Sequence, residues 1–481
     1  MNLLTITWIA LPFFIGFVIY LMPKLDRPLA LGTALASTAY ALWIFIQQQP
    51  VELNLLDSFG VKLLVDPLTA YFILTNALVT IAVICYCWQT DKSPFFYAQT
   101  IILHGSVNAA FACVDFISLY VALEVLSIAA FLLIAYPRSD RSIWVGLRYL
   151  FVSNVAMLFY LVGAVLVYQA SHTFSFVGLR EAPPEAYALI FLGLLVKGGI
   201  FISGLWLPLT HSESEAPVSA MMSGFVVKAG VLPLVRGALL IGEIDPIIRA
   251  FGVGTALLGV FYAVFEKDAK RMLAFHTVSQ LGFILAAPEV GGFYALTHGL
   301  VKASLFLTVG HLPSRNLKEL QHMAIATPLW IALVAASFSI SGFPMLSGFG
   351  AKVLTMKNLV PWQVIGMNLA ALGTAISFAK LIFIPHKPVP EAQSKPVSTG
   401  FWVAVILLIG GLLVANLFYI EAYTLGNIVK PLATIALGWL AYFLIVRRLS
   451  VKLPRLFEQL DHLMGMMSLM LMFLFWAVFA T

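Results

Sequence analysis

Five lysines and one glutamate stand where charge is least expected. Lys197, Lys228, Lys302, Lys352 and Lys380 lie inside long apolar runs, as does Glu124 in SLYVALEVLSIAAF. Asp66 and Asp115 stand at the edges of two such runs. A charge at the centre of a bilayer costs about 2.5–3.5 kcal/mol on insertion scales, so several in one bundle imply a polar, hydrated interior. Amines suit one chemistry in such a place. A lysine desolvated between helices can release its proton near neutral pH, and an approaching carboxylate restores its charge. A row of lysines facing a glutamate is therefore a proton relay with electrostatically set stations. His298 fits the same chemistry, because it precedes Lys302 by four residues and shares its helical face. An unperturbed imidazole has a pKa of about 6.5. Glu124 is too short and too deep to snorkel, whereas Lys380, near a run end in ISFAKLIFIPHK, can reach the interface.

The elements that must hold these groups follow from composition. Of 481 residues 61% are hydrophobic and only 10% charged; the mean hydropathy is +0.96. A soluble domain carries about 25% charged residues, so a soluble enzyme, a nucleic-acid binder and a disulfide scaffold are all excluded. The excess of 28 Lys+Arg over 22 Asp+Glu is scattered among apolar runs, as loop charge is. Cys85 and Cys87, in a C-x-C spacing with no second pair, read as packing. Runs long enough to span lie near 3–22, 28–47, 67–88, 95–113, 115–136, 146–169, 186–209, 214–235, 247–265, 272–289, 292–312, 326–345, 359–384, 401–420, 424–446 and 462–480. The fold expected is an all-α polytopic membrane protein of about 14–16 transmembrane helices, some of them broken or lying on the surface. Residues 1–22 lack a basic n-region and a small-residue cleavage site, and read as a retained first helix.

If the spans alternate, seventeen loop bases, among them Lys24, Arg27, Lys92, Arg148, Lys267, Arg315, Lys318, Lys395, Arg447 and Lys452, fall on one side. Six, including Lys62, Lys357 and Lys430, fall on the other. That bias puts the N-terminus on the non-cytoplasmic side. Glycines and prolines break the pattern twice. One stretch carries Gly198-Gly199, Pro208, His211 and Pro217; the other carries Gly342, Pro344, Gly348 and Gly350. Each break sits beside a lysine within an apolar run, and broken helices in two halves mark a transporter site.

The same stretches carry spaced motifs. Glu124 follows Asp115 by nine residues; Lys197 precedes Trp206-Leu207-Pro208 and His211; then come Pro217-Val218-Ser219-Ala220, Gly224 and Lys228. Asp268, Lys270 and Arg271 lead to Ser279-Gln280-Leu281-Gly282, His298 and Lys302 to Gly310, and Gly342, Pro344 and Ser347-Gly348-Phe349 to Lys352. Over roughly residues 60–385 the chain resembles the antiporter-like membrane subunits shared by Mrp-type cation/proton antiporters and complex I. Departures are Ile202 and Gly204 where the family has Pro and His, Ser212-Glu213-Ser214-Glu215-Ala216 after His211, and His276 in an A-Y-S-like place, read as packing.

The resemblance implies two inverted five-helix repeats, residues 115–235 and 247–385, each with a broken helix. They are flanked by N-terminal helices in 1–114 and C-terminal helices in 400–481. It implies that Glu124 modulates Lys197, that Lys197 and Lys228 relay protons, that His298 and Lys302 link the halves and that Lys352 is the exit station, with Asp115 and His211 secondary. Lys352, in place of the Glu of some complex I relatives, points to a D-type Mrp protein moving H⁺ against Na⁺. The expected partners are other membrane subunits in an energy-coupling membrane, a bacterial plasma membrane or one like a thylakoid. The alternatives are a proton-pumping complex I subunit and a passive scaffold. No Walker loop, Fe–S cysteine set or zinc motif is present in the sequence, and Gly252-Val253-Gly254 follows no strand. No cofactor, metal, nucleic acid or catalytic chemistry of the chain's own is expected.

Overall fold

Proline and short polar residues set where the helices begin. Asp66 caps the helix opened by Pro67 by accepting from the Thr69 amide, Ser139 and Ser142 form a reciprocal capping box, and Asp268 accepts from the Arg271 amide. The computed structural model describes residues 2–56, 60–388, 397–449, 451 and 453–480. Lys395 and Lys452, counted among the loop bases, lie outside the described residues.

The first helices are α1 (Asn2–Leu21), α2 (Asp26–Gln47), α3 (Pro67–Cys87), α4 (Pro94–Ala112), α5 (Phe116–Ile134) and α6 (Asp140–Ser171). α7 (Pro184–Gly198), α8 (Leu207–Glu213), α9 (Ala216–Met221) and α10 (Lys228–Leu240) complete the first half. The second holds α11 (Asp245–Phe265), α12 (Ala269–Ala286), α13 (Gly291–Val309), the single turn α14 (Leu317–Leu320), α15 (Thr327–Ser341), α16 (Ser347–Lys357) and α17 (Gln363–Ile382). α18 (Thr399–Leu417), α19 (Leu425–Leu444) and α20 (Leu460–Ala480) follow. Thirteen helical stretches among the described residues are long and apolar enough to cross a membrane, and α15 is a shorter apolar helix. α4 and α12 stand where spans are expected but are too polar to count among the thirteen.

Two differences from expectation concern the backbone. Residues 48–66, read as a loop, contain an antiparallel pair, β1 (Val51–Leu56) with β2 (Gly60–Val65), in the register Val51↔Val65 and Leu53↔Leu63. The alternation Val51-x-Leu53 against Leu63-x-Val65 buries one face and leaves Glu52 and Asn54 outside. A second pair, β3 (Ile325–Ala326) with β4 (His386–Lys387), is parallel and only two residues long. Arg148, counted among the loop bases although it stands just inside the run 146–169, lies inside α6 and is buried.

Gly252 and Gly282 acquire a packing role. A Cβ on Gly282 would lie 2.5 Å from the Ala256 amide nitrogen, and one on Gly252 2.7 Å from that of Ala286. α11 and α12 therefore touch backbone to backbone, as small residues allow in membranes.

At the membrane edge Arg236 on α10 donates to both oxygens of Asp66, at 2.9 and 3.0 Å, tying the start of α3 to the first half. Burial alone raises the Asp66 carboxyl, but the Arg236 guanidinium, aided by bonds from Arg236 and Thr69, outweighs it and holds the group below its usual range. A carboxyl depressed by folding contributes stability that is full above its unfolded pKa, about 4, and is lost as pH falls through the folded value. Acidification from about pH 4 downward is thus expected to lower the melting temperature of the native chain more than that of Asp66→Asn. Parallel acid profiles for the two proteins would remove this contribution.

Candidate proton-transfer site

In the first half the chain breaks at Gly199, whose φ of +67° ends α7. A six-residue 3₁₀ stretch, Phe201–Trp206, follows, and then α8. The Trp206 indole donates to the Val196 carbonyl at 2.9 Å and so folds the break back over Lys197. Lys197, 5% exposed, donates to the hydroxyls of Ser127 on α5 and Ser153 on α6, the latter at 2.5 Å. Ser127 lies three residues after Glu124, hence on nearly the same helical face. Glu124 is half-buried, and its Oε1 is enclosed without a hydrogen-bond partner among the described residues. Each side chain feels the other's charge, yet no ion pair joins them. Carboxylate and amine are therefore near each other without being paired.

Lys228 rests on an unusual turn. Met222–Val226 form a π-helical turn, and the Lys228 ammonium donates to the carbonyls of Ser223, at 3.2 Å, and Gly224. Widened turns of this kind occur mostly at functional sites. α10 meets α7 backbone to backbone, since a Cβ on Gly230 would lie 2.9 Å from the Gly198 Cα. That contact fixes Lys228 against the segment carrying Lys197.

α13 brings the next two groups. Gly299 has no side chain to hold the π turn away: its Cβ would sit 2.8 Å from the Gly224 carbonyl and 3.6 Å from the Lys228 nitrogen. His298 stands beside it, with both ring nitrogens buried and without hydrogen-bond partners among the described residues. One turn on, the fully buried Lys302 donates to the Leu273 carbonyl at 2.5 Å and lies 6.0 Å from the Phe306 ring centroid. His298 feels Lys228, Lys302 and His276, and His211 on α8 feels Lys302. His211 is buried against Phe306, at 5.7 Å between centroids, with both nitrogens unpartnered among the described residues.

The second break mirrors the first in chemistry. Gly342 ends α15 at φ +84°, Met345 follows at +92°, and α16 then carries Lys352. The Lys352 stem packs so closely on Gly342 that a Cβ there would lie 2.8 Å from its Cδ. Its ammonium, unpartnered among the described residues, faces the Phe283 ring at 5.6 Å and lines a cavity of about 220 Å³ with Ser341, Asn368, Asn427 and Lys430.

The structure thus brings Lys228, His298, Lys302 and His211 into one group, Glu124 and Lys197 into another, and leaves Lys352 by its own cavity. Asp115 lies elsewhere. Its carboxylate is fully buried and accepts from the amides of Ser118, at 2.7 Å, and Lys62, at 2.8 Å, so it caps α5 and pins β2. Lys380 does not snorkel. It is 7% exposed and donates to the carbonyls of Ala263, Val264 and Glu266, capping the end of α11.

His276 is the group whose place the sequence understates. It is fully buried, packs against Phe378 with ring centroids 4.6 Å apart, has both nitrogens unpartnered among the described residues, and feels Lys302, Lys352 and Lys380. Its signal is the polar face His276–Thr277–Gln280 of α12, spaced at i, i+1 and i+4, with the Leu273 carbonyl one turn before it. Leu273 accepts from Lys302, Thr277 bonds Ser223 of the π turn at 2.7 Å, and Gln280 accepts from Tyr294 at 2.5 Å. A second buried cluster joins α2, α3 and α4. His104 bonds Ser37 at 2.8 Å and Thr80 at 3.2 Å, and Asn76 donates to Asn108 at 2.8 Å. Every member has a partner, which marks it as structural. The acidic stretch after His211 is clamped as well: Lys92 pairs with Glu215 at 2.6 Å, Arg141 with Glu213 at 3.5 Å, and Lys270 donates to the Ser214 carbonyl at 2.8 Å.

The chain and its fold both have known relatives. The chain is similar to the N subunit of an NADH-quinone oxidoreductase of Desulforudis audaxviator, at 29% identity over 82% of this chain and 90% of that protein. It is similar to the D subunit of a Na(+)/H(+) antiporter of Alkalihalophilus pseudofirmus, at 26% identity over 85% and 91%. Its fold matches a chain of the membrane-bound sulfane sulfur reductase, an archaeal respiratory membrane complex, with a TM-score of 0.76 and 22% identity over 92% of this chain and 100% of that one. It also matches a chain of the Mrp complex from Dietzia sp. DQ12-45-1b, with a TM-score of 0.72 and 20% identity over 97% and 100%. Residues 113–377, more than half of the length and the whole of the region that carries Glu124, Lys197, Lys228, Lys302 and Lys352, fit one family description, and the chain belongs to the NADH:quinone oxidoreductase/Mrp antiporter transmembrane family.

Proposed function

We propose that the chain is the proton-translocating subunit of a multisubunit Na⁺/H⁺ antiporter of the Mrp type, and that its buried amines carry the proton. The observation behind this reading is the burial of Lys197, Lys228, Lys302 and Lys352 with no carboxylate in hydrogen-bond contact with any of them among the described residues. An ammonium kept from water without a counter-ion is a structural liability unless its proton is meant to leave. In this reading Glu124 sets the charge of Lys197, Lys228 receives the proton, His298 and Lys302 hold the centre, and Lys352 delivers it to its cavity. His211 assists Lys302, and Asp115 acts only through the placing of α5. Residues 115–235 and 247–385 are the two inverted repeats, and the N-terminus lies on the non-cytoplasmic side, as the loop charges favour. Na⁺ and H⁺ are the transported ions, and the partners are further membrane subunits.

Glu124→Gln and Lys197→Ala are each expected to lower ΔpH-driven Na⁺ exchange in vesicles by at least about 100-fold, the scale of a lost proton-transfer group, while the complex still assembles. Unchanged exchange in both variants would remove the assigned roles and leave a scaffold. The relative at 29% identity, part of a quinone oxidoreductase, supports a second reading, in which the chain pumps protons and redox chemistry in other chains powers it. Co-purification with quinone-reducing subunits rather than small antiporter subunits decides for it.

A further inference from the structure

Three helices end around one basic hollow. α11 ends at Phe265, α17 at Ile382 and α19 at Leu444, and a cavity of about 290 Å³ lies between the segments that follow and α14. Its basic lining is Lys267, Lys318, His322, Lys380 and Arg447. Its one carboxylate is engaged: Glu266 accepts from the amides of Lys267 and Asp268 and from Arg271 at 3.1 Å. Burial raises the Glu266 carboxyl, but Arg271 and those amides outweigh it, so the group stays ionised and turned toward Arg271. Lys380 adds charge only, because its ammonium is taken up by the last carbonyls of α11. Lys267, Lys318 and Arg447 have no ion pair among the described residues.

The other half of the lining is apolar, with Val264, Phe265, Leu317 and Val446 among it. Near it, α19 also leaves Leu440, Phe443 and Leu444 54%, 38% and 53% exposed. A basic, half-apolar cup at the ends of spanning helices, with exposed apolar residues on one of those helices, matches a ligand with an anionic head and hydrocarbon tails. A soluble anion has no use for those apolar residues.

We propose that this hollow binds the phosphodiester headgroup of an anionic phospholipid, held by Lys267, Lys318 and Arg447, with its acyl chains along α19. The proposal does not depend on the transport reading. It is tested by native mass spectrometry on the intact complex after exposure to vesicles of phosphatidylglycerol or of phosphatidylcholine. The native complex is expected to retain phosphatidylglycerol and not phosphatidylcholine, also in millimolar inorganic phosphate. Lys318→Gln/Arg447→Gln is expected to lower retention by about tenfold or more, and Lys318→Glu/Arg447→Glu further. Both residues are exposed, so the variants are expected to keep the native melting temperature. Equal retention of the two lipids, unchanged retention in the variants, or displacement by inorganic phosphate would each overturn it.

Discussion

Lys302→Met is expected to bring ΔpH-driven exchange down to the leak of empty vesicles, a loss of at least about 100-fold, without unfolding the chain. Lys302 is fully buried at the meeting of four other titratable groups, Lys228, His298, His276 and His211. No other amine here is felt by so many. Methionine fills a similar volume, and it removes the desolvation penalty of an unpaired buried charge, so the melting temperature should hold or rise. Lys302→Arg separates charge from chemistry. A guanidinium keeps the positive charge but does not release its proton in the working pH range. It is expected to be as inactive as the methionine variant, and exchange above one tenth of the native rate in it would show that only the charge matters.

Gly282→Val should do the opposite, damaging the fold while every proton-transfer side chain keeps its identity. Gly282 faces the backbone of α11, where its Cβ would stand 2.5 Å from the Ala256 nitrogen and 3.0 Å from its Cα. Backbone atoms cannot swing aside, so α12 must shift as a body. Overpacking of this sort costs about 1–3 kcal/mol, and a branched side chain stands at the upper end. α12 carries the Leu273 carbonyl that binds Lys302, together with Thr277 and Gln280, and all of these move with it. The expected result is a melting temperature lowered by several degrees and loss of assembly. Gly410→Ala, which meets nothing within 4 Å, is the control and should behave as native. A native melting curve for Gly282→Val would show that the helix pair has slack.

What could be seen in the sequence depended on contrast. A lysine in an apolar run stands out, so Lys197, Lys228, Lys302 and Lys352 are legible, and Gly199 and Gly342 mark the breaks beside two of them. Family motifs then place the same residues in order. The hidden parts lack that contrast. His276 sits in a helix whose neighbouring polar residues are Thr, Ser and Gln, which are ordinary in membrane helices, and only the packing of Phe378 against it and the charge of Lys302 nearby give it meaning. The Ser127 and Ser153 hydroxyls that hold Lys197 come from two other helices, and nothing local announces them. Lys380 shows the reverse error. Its position near a run end suits snorkelling, but the carbonyls that take its ammonium belong to the end of α11, more than a hundred residues earlier. The β1–β2 pair escapes notice because its alternation is brief and sits among turn residues.

Counting signs along the interior leads one step further. Along the proposed path the four enclosed amines Lys197, Lys228, Lys302 and Lys352 stand with one carboxylate, Glu124 of α5. A proton crosses such terrain by changing the identity of the carrier at each hop, so an added charge never has to sit naked between sites. An alkali metal ion has no conjugate base to leave behind and brings its full charge wherever it goes. On the proposed reading, the row of amines that passes hydrogen ions repels sodium, and a sodium ion exchanged by the assembly must cross along some other wall.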